Sequence, residues 1–301
     1  VRRLATATAV LPAHVHGSTQ HQQATDNAAG LAHPAQQQRS DATVVAANCA
    51  RAQEALRVLE EFGRSCDPEL ARVAEHCRYR LYDLETRLLA DQSRRQRLAA
   101  ERLYLITSPV PQLLAVVEQA LQAGVKLVQH RSKLTDDLPR YQEAVALRDL
   151  CAAHGALFIV NDRVDLALAV EADGVHLGQG DLPPAQARRL LGPDRLIGRS
   201  THAPEQLQQA MADGCDYAGV GPLQATPTKP GREPVGLDYL RQAAQIATIP
   251  HYAIGGVDAQ LLPALLEAGG PHCRVAVVRA VMEAADPAAA ARQLLELLAD
   301  G

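Results

Sequence analysis

The sequence predicts an α/β fold: a (β/α)8 TIM barrel preceded by a short helical segment and a disordered N-terminal tail. Three observations carry that expectation. Eight short β-rich apolar runs recur over about the last 200 residues, amphipathic helical segments separate them, and the first 41 residues hold no sustained periodicity. The expected divisions are a tail over 1–41, a partial helical domain and linker over 42–100, and a barrel over 101–301.

With 301 residues and 47% hydrophobic content, the chain is able to bury one large core or two modest ones. Residues 1–41 are rich in Gln, Ala, His and Ser, too polar to offset the entropy of ordering. Their histidines, His14, His16, His21 and His33, read as solvated side chains, since no scaffold orients them for a metal. From Ala42 to Leu89 the pattern is helical. Val45, Cys49, Ala52, Leu56 and Leu59 form one apolar stripe. A second helix is announced by Asp67 as N-cap, Pro68 at the first helical position and Glu69 in the first turn; its stripe is Leu70, Val73, Cys77, Leu81, Leu84 and Leu88. The charged stretch "DQSRRQRLAAE", Asp91 to Glu101, reads as a linker or a helix end.

The strand runs begin near Arg102, Val125, Ala156, Gly174, Leu196, Asp216, His251 and Arg274. They are nearly continuous in apolar residues, as suits strands covered on both faces. Segments such as "QLLAVVEQALQAG" and "APEQLQQAMADG" lie between them, mostly ending in glycine as a helix stop does. A doubly wound open sheet is the runner-up fold, but it seldom needs eight evenly spaced units.

A net charge of −4 and a pI near 6.3 argue against a nucleic-acid or membrane-surface partner, which calls for a basic face. No apolar run approaches the roughly 20 residues that span a bilayer, and the opening "VRRLATATAVLPAHVHG" makes a poor signal segment. The six cysteines show no C-x-x-C and no paired spacing, so they read as small buried residues in a reducing cytoplasm rather than a zinc site or disulfide framework.

Barrel active sites sit at the C-terminal strand ends. After the second run stand Gln129, Arg131 and Lys133; after the third, Asn161 and Asp162; after the fourth, Gln179 and Asp181. Ser200 follows the fifth, Thr226, Thr228 and Lys229 the sixth, and Gly255 and Gly256 end the seventh. Each has a plain structural reading. Asp162, Asp181, Ser200 and Thr201 stand where helix N-caps belong, the lysines suit solvent, and the glycines suit a tight turn. Their joint gathering on one rim favours function. Two carboxylates on adjacent strand ends are the oxygen ligands Mg²⁺ prefers, and Arg131, Lys133 and Lys229 supply positive charge for a multiply charged anion. The Gly-Gly pair and the backbone after strand eight suit a phosphate. No P-loop, G-x-G-x-x-G, nucleophile elbow or H-E-x-x-H occurs, so the chemistry expected is departure of a good leaving group and capture by a held partner.

The ordered set "QHRSK", "FIVNDRVDLALAVEADGVHLGQGD", "IGRSTH", "GPLQATPTKPG", "AIGGV" and "VAVVRA" closely resembles thiamine-phosphate synthase from Arg102 to the C-terminus. The resemblance implies a (β/α)8 barrel that joins hydroxymethylpyrimidine diphosphate to a thiazole phosphate with Mg²⁺, releasing pyrophosphate. It implies that Gln129, Arg131 and Lys133 hold the pyrimidine diphosphate, that Asn161 contacts the pyrimidine, and that Asp162 and Asp181 bind Mg²⁺. Ser200 and Lys229 then meet the pyrophosphate, while Thr226, Thr228, Gly256 and the backbone at Val278 and Arg279 hold the thiazole phosphate. Pro227 and Pro230 limit the entropy the loop loses on ordering.

Two departures stand out. Arg279 occupies a position where the family pattern usually has serine. The segment "VVAANCARAQEALRVLEEFGRS" resembles the second half of a helical domain of cyanobacterial-type synthases related to a hydroxymethylpyrimidine-phosphate kinase, and the similar first half, N-x-x-R-A-x-E-x-L-R, is not found ahead of it. That argues against kinase activity and leaves the helical pair to dock on the barrel or to mediate homo-oligomers. The competing readings are a thiazole tautomerase or regulator of the same barrel family and a non-catalytic phosphate-binding scaffold; the joint presence of Lys133, Asp162, Asp181 and Lys229 argues for the synthase.

Overall fold

The structure is a computed structural model that describes residues 41–225 and 233–300. The chain divides into two compact units, 1–92 and 93–301.

The first unit holds helix α1 (Asp41–Cys66) and most of α2 (Pro68–Ala100). Asp67 separates them as expected: its Oδ1 accepts the N–H groups of Glu69 and Leu70, each at 3.1 Å, which satisfies two of the first donors of α2. The helices meet closely at Gly63, where a Cβ would stand 2.8 Å from the nitrogen of Ala71. Ala71 and Ala74 are buried on α2 and Cys49 on α1, and Glu60 is held between Arg64 and Arg78. Leu84 and Leu88, expected in the buried stripe, are 49% and 38% exposed, as are Val58, Phe62, Tyr79 and Tyr82 to similar extents. One antiparallel helix pair has too few facing positions to cover every apolar side chain it carries.

In the second unit eight parallel strands close into a barrel in chain order: β1 (Leu103–Ile106), β2 (Leu127–His130), β3 (Leu157–Asn161), β4 (Gly174–Leu177), β5 (Leu196–Thr201), β6 (Tyr217–Val220), β7 (His251–Ile254) and β8 (Arg274–Val277). Each begins within two residues of the expected start. The intervening helices are α3 (Leu113–Gln122), α4 (Asp137–Ala153), α5 (Val164–Ala169), α6 (Pro184–Leu191), α7 (Pro204–Ala212), α8 (Gly236–Ile246) and α9 (Leu262–Gly269), followed by α10 (Arg279–Met282) and α11 (Pro287–Asp300). Because side chains alternate along a strand, the apolar run of each strand serves two cores. Leu103, Leu105, Val128 and Val175 face the helices; Tyr104, Leu127, Leu157, Leu196 and Tyr217 fill the lumen.

The stretch read as linker or helix end is a helix end, and it closes the barrel floor. Leu98 of α2 is 1% exposed within the lumen cluster. The hydroxyl of Tyr252 donates to the carbonyls of Leu98 (3.3 Å) and Glu101 (2.9 Å), and Arg274 Nη2 donates to that of Ala99 (2.8 Å), so barrel side chains satisfy the last carbonyls of α2. Arg94 and Arg95 add ion pairs to Asp173 (2.8 Å) and Asp216 (2.7 Å). Four of the six cysteines are buried as expected, whereas Cys66 at the end of α1 is exposed.

Two outcomes follow. Leu98→Ala opens a cavity in the lumen floor and lowers barrel stability by about 2–5 kcal/mol, read from urea unfolding. Burial holds His130, which pairs with Glu143 at 2.8 Å, and His251 below the ordinary imidazole value of 6.5. The unfolded chain therefore binds these protons more readily, so their contribution to stability is full above pH 6.5 and is lost as pH falls through the lower folded values. The urea midpoint drops between about pH 7.5 and 5.5, and His130→Gln flattens that drop.

Candidate active site

The site rests on a plug of aromatic side chains in the lumen. Tyr104, Tyr217 and Tyr252 lie edge to face around one another, with ring centroids 5.2–5.9 Å apart. Gly198 on β5 makes this possible, since a Cβ there would collide with the ring of Tyr217. Gln129 Nε2 donates to the Tyr104 hydroxyl (2.7 Å), which lies 2.8 Å from that of Tyr217; His176 on β4 reaches Tyr217 through Nδ1 (3.3 Å) and Ser200 Oγ through Nε2 (2.9 Å). Burial pushes the Tyr104 and Tyr217 phenols well up, so both remain protonated donors.

Above this plug, at the C-terminal strand ends, opens a cavity of about 410 Å³. Gln129, Arg131, Asn161 and Ser200 line it from β2, β3 and β5 and the turns that follow. Gly256, Val278 and Arg279 line it from the ends of β7 and β8. Gly255 (φ +107°) and Gly256 (φ +74°) are in the left-handed region, and a Cβ on Gly255 would lie 2.7 Å from Leu223 N. The turn reading of this pair therefore holds alongside its place on the cavity. Arg279 opens α10, a single turn, so the first N–H groups there have no acceptor within the helix.

Three expected site residues stand on the same rim but not on this cavity. Lys133 lines a neighbouring cleft of about 440 Å³, and Arg131 borders both. Asp162 follows β3 directly in the left-handed region (φ +62°), a conformation aspartate tolerates better than most residues, and its N–H donates to His176 O at 2.8 Å. Asp181 Oδ2 accepts the N–H of Gly178 at 2.6 Å. Thr226, Thr228 and Lys229 lie outside the described residues.

On the barrel rim the N-cap reading of Asp162, Asp181, Ser200 and Thr201 fails. Helices α5, α6 and α7 carry no side-chain cap. Ser200 is engaged by His176, and Thr201 donates to Gly219 O (2.9 Å) while accepting from Tyr239 (2.6 Å). Gln179 has a structural task, donating to Ser200 O at 2.7 Å. Sequence reasoning missed His176, His202, Glu283 and the three tyrosines, all on the cavity wall. The available signal was a polar or amphipathic side chain inside an otherwise apolar strand: His176 in "GVHLG", Tyr217 in "DYAGVG" and Tyr252 in "HYAIGG".

Residues 103–281 match the family model described as "Thiamine monophosphate synthase". The chain belongs to the thiamine-phosphate synthase family. A thiamine-phosphate synthase of Prochlorococcus marinus is 55% identical over 284 residues, covering 91% of this chain and 80% of the relative, and one of Synechocystis is 52% identical over 269 residues, covering 89% and 78%. Among solved structures, a thiamine phosphate pyrophosphorylase from Pyrococcus furiosus is 34% identical with a TM-score of 0.61, covering 68% of this chain and 98% of that one. The 3-hexulose-6-phosphate synthase of Salmonella typhimurium, at 17% identity and a TM-score of 0.52, shares the fold. A second model, described as "ThiD2 family", matches residues 3–87, running across the expected tail as well as α1 and most of α2.

For a thiamine-phosphate synthase the metal question turns on the donor set. No cluster of three or more His, Cys, Asp or Glu is gathered for a metal ion among the described residues. What the rim offers is Asp162 and Asp181, at the ends of β3 and β4, which pair through Asn161 and His176. Two hard oxygen donors fit Mg²⁺, which binds through one or two carboxylates and takes its other ligands from water and phosphate. They do not make a closed zinc site.

Gly198→Ala tests the plug. The added methyl displaces Tyr217 and costs about 1–3 kcal/mol of stability by overpacking, measured by thermal unfolding, with near-ultraviolet dichroism reporting the altered tyrosines.

Proposed function

We propose that this chain condenses 4-amino-2-methyl-5-(diphosphooxymethyl)pyrimidine with a thiazole phosphate, giving thiamine phosphate and pyrophosphate, in a Mg²⁺-dependent reaction. The observation that supports the reading is one cavity bordered by two separate sets of groups able to bind anions. Arg131, Gln129, Asn161 and Ser200 lie towards one neighbourhood and Gly256, Val278 and Arg279 at the ends of β7 and β8. Two anionic substrates meeting in one chamber call for that division.

In this reading Gln129, Arg131 and Lys133 hold the pyrimidine diphosphate, Asn161 contacts the ring, and Ser200 and Lys229 meet the departing pyrophosphate. Thr226, Thr228, Gly256 and the backbone at Val278 and Arg279 hold the thiazole phosphate. Mg²⁺, held by Asp162 and Asp181, supplies charge neutralisation at the diphosphate. As the methylene C–O bond breaks, its electron pair leaves on a pyrophosphate oxygen, and the guanidinium and ammonium groups stabilise that growing charge. The pyrimidine ring delocalises the cation left behind. The thiazole nitrogen, fixed nearby through its phosphate, donates its lone pair and forms the C–N bond; positioning converts the encounter into an intramolecular step.

The six cysteines support a reducing compartment and hence cytoplasmic work on small molecules; no described helix is long and apolar enough to cross a membrane.

The direct test supplies the purified chain with both substrates and follows pyrophosphate with and without Mg²⁺. Release depends on both substrates and stops on chelation. Asp162→Ala and Lys229→Ala each reduce turnover about 10²–10³-fold, comparable to removing an oxyanion-hole donor. Unchanged turnover in either variant at saturating Mg²⁺ sinks the assignment of that residue.

A further inference from the structure

The hydrogen bonds beneath the cavity form one continuous line, from Gln129 through Tyr104, Tyr217 and His176 to Ser200, with links of 2.7, 2.8, 3.3 and 2.9 Å. Tyr104 and Tyr217 are 1% and 0% exposed, and buried hydroxyls need their partners satisfied. That requirement gives the line a direction. The amide nitrogen of Gln129 only donates, so the Tyr104 oxygen accepts there. The Tyr104 hydrogen then has the Tyr217 oxygen as its acceptor, and the Tyr217 hydrogen has His176 Nδ1. A neutral imidazole that accepts at Nδ1 carries its proton on Nε2, and Nε2 faces Ser200 Oγ. Ser200 is thereby an acceptor towards His176 and keeps its own hydrogen for the cavity it lines. The high phenol values that burial imposes keep the two tyrosines in the donor form throughout.

We propose that His176 is a positioning residue: the Gln129–Tyr104–Tyr217 line fixes it as the Nε2–H tautomer, and in that form it turns the Ser200 hydroxyl outward as a hydrogen-bond donor to the departing pyrophosphate. The assignment rests on the reading of Ser200 given above; the tautomer itself does not. Reversing the line would aim the Ser200 hydrogen at His176 and present oxygen lone pairs to an anion, which repels rather than stabilises it. His176 thus acts on the leaving group through Ser200, and Gln129 sets that action from the far side of the lumen.

The experiment has two arms on the full chain. In the first, nitrogen-15 spectra of histidine-labelled protein, free of substrate, are compared between the wild type and Tyr217→Phe. The expected result is a proton fixed on Nε2 of His176, with Nδ1 bare, and loss of that single tautomer in the variant. A proton on Nδ1 in the wild type, or an unchanged tautomer in Tyr217→Phe, overturns the proposal. In the second, turnover is measured for Ser200→Ala, His176→Phe and the double variant. His176→Phe lowers kcat roughly tenfold, the scale of one hydrogen bond to a charged group, and adds nothing in the Ser200→Ala background. Full additivity overturns the relay. If wild-type protein releases no pyrophosphate at all, the functional reading fails while the tautomer result still stands. Should His176→Phe fail to fold, the wild-type tautomer and Tyr217→Phe decide.

Discussion

A closed barrel has no empty middle: its lumen must be filled, and whatever fills it decides where a ligand has room. Here the filling is three tyrosines in mutual edge contact, admitted by the missing Cβ of Gly198. Below them Leu98, Leu127, Leu157 and Leu196 pack as an apolar floor. Above them the strand ends diverge around a cavity of about 410 Å³. The plug is apolar at its ring faces and polar at its hydroxyls, so it joins both layers. It supports the floor through Tyr252, which caps the end of α2, and the site through Tyr104 and Tyr217, which carry the hydrogen bonds to Gln129 and His176.

That division explains how charge is distributed. Directly beneath the cavity Gln129, Tyr104, Tyr217 and His176 are hydrogen-bonded to one another, with no formal charge from Asp, Glu, Lys or Arg among them, since an unpaired charge there has no solvent to compensate it. Formal charges that serve the proposed chemistry stand at the rim, where Arg131 borders both clefts, Lys133 lines the outer one, and Asp162 and Asp181 follow β3 and β4. In the proposed reaction neutral preorganised donors orient what enters, and rim cations and carboxylates answer to the charge it carries. The two sets meet at Ser200, a hydroxyl on the cavity wall tied to the interior through His176.

The barrel was legible because its strands announce themselves as separate apolar runs and its helices as amphipathic segments, both local signals. The rim was legible for the same reason: chemistry that sits just after a strand is found by counting from the strand. The interior was not. In a sheet covered on both faces the period-two pattern disappears, so nothing in "LYLI" or "YAGV" says which side chain looks into the lumen. His176 was hidden by that loss, although it lies at the centre of the hydrogen-bond line. The end of α2 was ambiguous because its charged stretch suits solvent; its arginines instead find Asp173 and Asp216, partners 79 and 121 residues away.

Arg279 shows how one departure is accommodated. A serine there would add a neutral donor, whereas a guanidinium brings five N–H groups and a positive charge. It is exposed on the cavity wall, and among the described residues it has no ion-pair partner. Glu283, one turn further on, donates its N–H to the Arg279 carbonyl at 3.0 Å and lines the same cavity. A carboxylate beside a phosphate site is repulsive on its own, and with Asp258 also on that wall the Arg279 guanidinium stands between two of them. The phosphate affinity proposed for that end then depends on where the arginine reaches, because Gly256 and the backbone after β8 are set by the strand ends whereas the guanidinium ends a long side chain that can follow the ligand.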